Sequence, residues 1–108
     1  MATTEFDTER AEAFAGRMLE TLNAGAVAVM VSVGHRTGLF DALGETGAAT
    51  SQELADAAGL DERYVREWLG VMTTGRIVEY EPESGRYRLP AEHARWLPVI
   101  EADQTWLA

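Results

Sequence analysis

Two helix signals between Thr50 and Gly75 constrain this chain more than any other feature of its sequence. Thr50-Ser51-Gln52-Glu53 has the form of a capping box. The threonine hydroxyl accepts from the amide three residues on, and the glutamate reaches back to the capping amide. The helix that starts there is short, with Leu54, Ala55 and Ala58 as a small apolar face and Gly59 as the left-handed stop. Leu60 is expected to plug the corner, and Asp61 caps a second helix. In that helix Tyr64, Val65, Trp68, Leu69 and Met72 recur at helical spacing until Gly75 ends it. Two helices joined by a tight glycine turn make a helix-turn-helix.

The next segment is β in character. Ile77-Val78-Glu79-Tyr80-Glu81 and Arg86-Tyr87-Arg88-Leu89 flank Pro82-Glu83-Ser84-Gly85, which suits a hairpin with a four-residue loop. Alternation puts Val78, Tyr80, Tyr87 and Leu89 on the inward face and leaves Glu79, Glu81, Arg86 and Arg88 to pair across strands in water. Pro90 suits the start of a final helical turn through Leu97. Ahead of the helix-turn-helix, Phe14, Met18, Leu19 and Leu22 mark an amphipathic first helix. Asn23-Ala24-Gly25 is expected to kink or break it before an uncharged run carries it on to about Gly34. Leu39 to Leu43 adds a turn or two, and Gly44 to Ala49 reads as a loop. The expected architecture is mainly α: a winged helix-turn-helix with N-terminal dimerisation helices and a two-stranded β-wing. Residues 1–108 form one domain, with N-terminal helices at 6–43, the helix-turn-helix at 50–75, the wing at 77–89 and a short helix at 90–97.

Composition narrows what such a domain can touch. The net charge is −9 and all nine basic residues are arginines, so the surface field repels phosphate backbones. There is no cysteine, which removes disulfides, thiolate metal sites and thiol nucleophiles. The uncharged run from Thr21 to His35 is shorter than the about 20 apolar residues a bilayer requires. A helix buried on every side is the better reading, and in a chain this small part of that surface is expected to meet a second protein. Acidic residues near the N-terminus are unlike a signal peptide, so a cytoplasmic protein without membrane attachment is expected.

Candidate chemistry is sparse. The exposed face of the second helix of the helix-turn-helix carries Arg63, Arg66 and Glu67 beside Asp61 and Glu62. Two arginines could still contact guanines, yet phosphate neutralisation supplies most non-specific affinity and this face has little of it to offer. His35 and His93 show no metal-ligand spacing; His35 suits a helix C-terminus and His93 a surface or pocket rim. Glu79, Glu81 and Glu83 read as a charged edge that discourages strand aggregation. Trp68, Trp96 and Trp106 read as core or interface anchors. No two of the ten glycines are one residue apart, so no GxG nucleotide-binding turn is present and no cofactor is expected to bind this segment. No catalytic, cofactor-binding or metal residue is assigned.

Taken in order, Phe14-Ala15-Gly16-Arg17-Met18-Leu19, Gly34 to Leu43, Glu53-Leu54-Ala55, Asp61 to Leu69, and Val78 to Ala94 resemble a known set. They resemble the N-terminal winged-helix domain of bacterial class I S-adenosylmethionine-dependent methyltransferases, over roughly residues 12–98. The resemblance implies a homodimer formed through the N-terminal helices, with Phe14, Met18, Leu22, Val27, Met30 and Val31 as interface residues. It also implies a role in covering the substrate pocket of a Rossmann-like catalytic domain, which would bring S-adenosylmethionine and a small-molecule substrate. No such domain lies in this sequence, and a fragment or truncated form is the expectation. A dimeric winged-helix DNA-binding regulator is the alternative.

Overall fold

A computed structural model describes residues 5–97. Helix α1 (Thr8–Thr37) runs 30 residues, about 45 Å at 1.5 Å per residue. It is followed by α2 (Leu39–Thr46), α3 (Ser51–Ala58), α4 (Glu62–Thr74), strands β1 (Glu79–Glu81) and β2 (Arg86–Arg88), and α5 (Ala91–Ala94). Of the expected kink or break at Asn23-Ala24-Gly25, the break does not occur, since α1 is continuous through it. A mid-helix glycine costs about 1 kcal/mol relative to alanine, and packing of the C-terminal half of α1 against α2 and α4 offsets it. Asp7 caps the start of α1 by accepting from the Arg10 amide at 3.1 Å. Gly38, with φ +76°, ends it and hands the chain directly to α2.

The helix-turn-helix forms as its capping chemistry requires. Both halves of the box are made: the Glu53 amide donates to Thr50 Oγ1 at 3.2 Å and the Thr50 amide to Glu53 Oε1 at 3.0 Å. Gly59 is left-handed at φ +68°, and Asp61 caps α4. Across the turn, Ser51 Oγ donates to Glu62 Oε2 at 2.6 Å and ties the two helix starts together. Two expected apolar contacts are absent: Leu60 stays on the surface and Tyr64 points outward. The turn leaves Leu60 beyond the reach of the core, and Tyr64 sits on the flank of α4 away from Val65, Trp68, Leu69 and Met72, which are buried.

At the end of α4 the left-handed residue is Arg76, with φ +62°, while Gly75 keeps φ −78°. Gly75 is the residue that ends α4, and it matters for room as well. A Cβ there would lie 3.0 Å from a Val27 methyl of α1. The core joins Leu39, Phe40, Leu43, Leu54, Val65, Trp68, Leu69, Met72 and Val78, with Val27, Met30 and Val31 packed against it as half-buried residues. Phe40 and Trp68 meet edge to face, ring centroids 5.1 Å apart. Trp68 Nε1 donates to the Met30 carbonyl at 2.9 Å and pins α4 to α1.

The wing pairs antiparallel in the expected register, Glu79 with Arg88, Tyr80 with Tyr87 and Glu81 with Arg86. Ala49 joins it. Its amide donates to the Tyr87 carbonyl at 3.0 Å and its carbonyl accepts from the Tyr87 amide at 2.7 Å, so the expected loop adds an isolated antiparallel bridge to β2. Tyr80 lies against the Tyr87 ring at 4.7 Å yet remains 44% exposed, because the inward face of the short hairpin is only partly covered. Trp106 lies outside the described residues.

Candidate interaction surfaces

The outward face of α4 is self-neutralised. Arg63 Nε lies 3.7 Å from Glu67 Oε1, and Arg66 Nε lies 3.6 Å from Glu62 Oε2, both at the i, i+4 spacing of one helix face. Arg63, Arg66 and Glu67 are all exposed, so the predicted surface residues do stand together. Each guanidinium nevertheless has a carboxylate beside it. The wing repeats the arrangement: Arg88 pairs with Glu79, and Arg86 reaches Glu53 Oε1 at 2.7 Å and the Ala48 carbonyl at 3.2 Å.

Glu53 therefore holds three partners at once. The Thr50 amide, the Thr50 hydroxyl and the Arg86 guanidinium keep its carboxyl below its ordinary value. Through Arg86 the capping box of α3 also anchors the wing, a contact 33 residues apart in sequence that local reasoning could not supply. Burial pushes the Tyr87 phenol up, with the neighbouring Tyr80 acting in the same direction.

The expected dimer residues divide into two sets. Val27, Met30 and Val31 point into the core of their own chain and are half-buried there. Phe14, Met18 and Leu22 are 52%, 41% and 62% exposed. The six do not share a face, because helical periodicity over a 30-residue helix turns the two sets to opposite sides. With the second set stand Leu19, Val29 and Val33, also exposed. An open apolar groove between α1 and α4 runs alongside, lined by Ala24, Ala26, Val27, Gly70, Val71 and Thr74. Sequence reasoning missed this groove. The signal was present in the small residues Gly70 and Gly75, of which Gly75 was read only as a helix stop.

Both histidines pack within the fold. The His35 ring packs on Phe40 at 5.1 Å, and His93 Nδ1 lies 2.7 Å from the Ile77 carbonyl, joining α5 to the segment before β1. Among the described residues no group of three or more His, Cys, Asp or Glu could hold a metal ion. The glycines do not form a nucleotide cradle either: Gly38, Gly47, Gly59 and Gly85 serve left-handed turns. The one strand that leads into a helix, β2 into α5, does so through Leu89 and Pro90. These residues do not fit S-adenosylmethionine. No helix among the described residues is long and apolar enough to cross a membrane.

A sequence profile of the Rv2258c-like winged HTH domain matches residues 25–98. The chain belongs to this Rv2258c-like winged-helix family. Its fold is similar to that of a candidate O-methyltransferase of Nostoc punctiforme, at 22% identity and a TM-score of 0.63, over 73% of this chain and 23% of that one. The S-adenosylmethionine-dependent methyltransferase SibL matches at 25% identity and a TM-score of 0.62, over 84% of this chain and 25% of its own. The Rv2258c-like chain thus spans about a quarter of the length of these methyltransferases. A homodimeric winged helix-turn-helix DNA-binding domain of Mycobacterium bovis, Mb0332 fragment 1–100, matches at 22% identity and a TM-score of 0.60, over 97% of this chain and 93% of that domain. No curated protein sequence matches the chain.

Proposed function

We propose that this chain is the non-catalytic, homodimerising winged-helix module of a cytoplasmic, S-adenosylmethionine-dependent small-molecule methyltransferase, and that it covers the substrate pocket of a catalytic domain. One contrast carries the reading. The helix face that a DNA-reading winged helix would present has its arginines paired with glutamates of the same helix, whereas α1 leaves Phe14, Leu19, Leu22 and Val29 in water. Apolar surface of that extent on one side of a helix marks a protein contact. The likeness to two methyltransferases supports the larger context. The cofactor belongs to the catalytic domain, and no chemical step is assigned to the residues described here.

Light scattering on the 108-residue chain at micromolar concentration tests the pairing. A particle of two 11.8 kDa protomers is expected, and a strict monomer at high micromolar concentration would overturn the reading. The second reading, a dimeric DNA-binding regulator, is favoured by one observation: the M. bovis DNA-binding domain matches over nearly its whole length. Such a dimer would set its α4 helices about 34 Å apart for successive major grooves. Titration against mixed-sequence duplex DNA at low salt separates the two. Absence of binding is expected, and salt-dependent binding would favour the regulator.

A further inference from the structure

Helix α1 carries a second apolar line that none of the other described elements covers. Ala11, Ala15, Met18, Leu22, Gly25 and Val29 step alternately by four and three residues, the spacing of a coiled-coil seam. At 3.6 residues per turn they lie on the side of α1 opposite Val27, Met30, Val31 and Gly34, the residues that face the core. Met18, Leu22 and Val29 are 41%, 62% and 64% exposed. The seam therefore looks away from the winged helix, so a second helix can lie along it without meeting α2, α3 or α4.

Resting on the pairing reading above, the geometry points to one occupant: α1 of a second copy, running antiparallel, with the two-fold axis at Leu22. Side-chain size decides the direction. On the line, Ala11, Ala15 and Met18 precede Leu22, and Gly25 and Val29 follow it; beside it Phe14 and Leu19 flank the first half, and Ala24 and Ala26 the second. Antiparallel pairing about Leu22 sets Met18 and Leu19 against Gly25 and Ala26 of the second copy, and Ala15 against Val29. Large then faces small along the seam. A parallel pair would set Gly25 against Gly25 and leave a void there, which costs contact energy on both sides.

Charge agrees with size. Asp7 caps one end of α1 and Arg36 stands in its last turn, and both fall on the seam side. Antiparallel pairing brings Asp7 of each copy beside Arg36 of the other and sets the helix dipoles in opposition. Parallel pairing would place Asp7 beside Asp7 and Arg36 beside Arg36. The same arrangement carries Leu19, 60% exposed, toward Ala26 of the second copy, at the lip of the groove between α1 and α4.

Cysteine scanning tests this directly, since the chain has no cysteine of its own. Under mild oxidation Leu22→Cys is expected to give a disulfide-linked dimer by itself. Ala15→Cys and Val29→Cys are expected to cross-link only when the two variants are mixed. Self-cross-linking of Ala15→Cys and of Val29→Cys would show a parallel pair and overturn the proposal. A chain that scatters light as a dimer yet cross-links in none of these combinations also overturns it, while the pairing reading survives. A monomeric unmodified chain overturns both. Leu22→Asp sets two carboxylates face to face at the axis, where like charges cost several kcal/mol, and is expected to weaken dimerisation by at least about 100-fold. Circular dichroism at the same concentration confirms that the helices of the variant remain.

Discussion

The two halves of α1 are one continuous helix with opposite fates. From Val27 onward the helix contributes Val27, Met30, Val31 and Gly34 to a packed interior, and its Met30 carbonyl takes the Trp68 indole. From Thr8 to Leu22 it makes no comparable contact among the described residues, and Phe14, Met18, Leu19 and Leu22 are exposed there. The radius of gyration is 18.2 Å, against about 13 Å for a compact chain of this length. Helical propensity is higher in the open half, rich in Ala, Glu, Arg and Leu, than in the packed half with Val27, Val29, Val31, Val33 and Gly34, so the difference teaches that a helix can be locally complete while its apolar face waits for a partner.

That comparison can be broken or sharpened by substitution. The largest effect is expected at Trp68, which is 1% exposed. Trp68→Ala should cost about 3–5 kcal/mol in urea unfolding, and a loss below about 1 kcal/mol would mean that the packed half is not the stabilising one. Next comes Gly34, where an added Cβ would lie 2.6 Å from atoms of both Phe40 and Trp68. Gly34→Ala should destabilise by about 1–3 kcal/mol through overpacking, whereas Gly25→Ala, with nothing within 4 Å of its Cβ, should be neutral or stabilising in the monomer. Thermal melts of the two variants side by side would show it. Thr50→Ala removes the capping box of α3 and should cost about 1 kcal/mol.

A smaller effect concerns pH. The Glu53 carboxyl is depressed below 4.5 chiefly by the Thr50 amide, then by the Thr50 hydroxyl, with Arg86 adding to them. Its contribution is complete above pH 4.5 and disappears as pH falls through the depressed folded-state value. Unfolding midpoints should therefore drop as acid is added below that point, and Glu53→Gln should flatten that part of the slope. The smallest effect should come from the open half. Phe14→Ala, measured at high dilution, should change stability by no more than about 0.5 kcal/mol, while lowering the concentration at which the melting temperature stops rising. A core-sized loss in the dilute protein would abolish the distinction between the halves.

Local chemistry carries its information within a few residues, and that is where sequence reading succeeded. Thr50 and Glu53, Gly59, Asp61 and the Pro82-to-Gly85 loop act through neighbours, so capping box, turn, second cap and hairpin register could be read directly. Reading failed where the outcome depended on distant groups. Asn23-Ala24-Gly25 looked like a kink or break because its cost is local, and the compensating contacts with α4 are distant in sequence, 38 residues for Trp68 on Met30. Gly75 does stop α4, as read, but local reasoning did not show that its lack of a side chain also makes room for Val27. Ala49 carried no strand signal at all, since its partner is Tyr87. The arginines of α4 were visible as residues, and their pairing with Glu62 and Glu67 followed from i, i+4 spacing.

By itself the sequence determined the helix-turn-helix, the wing and the acidic balance that disfavours phosphate, since each depends on residue type and short spacing. Only the tertiary structure decided which side of α1 is spent. Periodicity shows that two apolar lines exist along that helix, but it cannot say which one α2 and α4 will cover. Packing chose the line through Val27, Met30, Val31 and Gly34, because only a glycine at 34 admits Phe40 and Trp68 so closely. The line through Met18, Leu22 and Val29 was thereby left open.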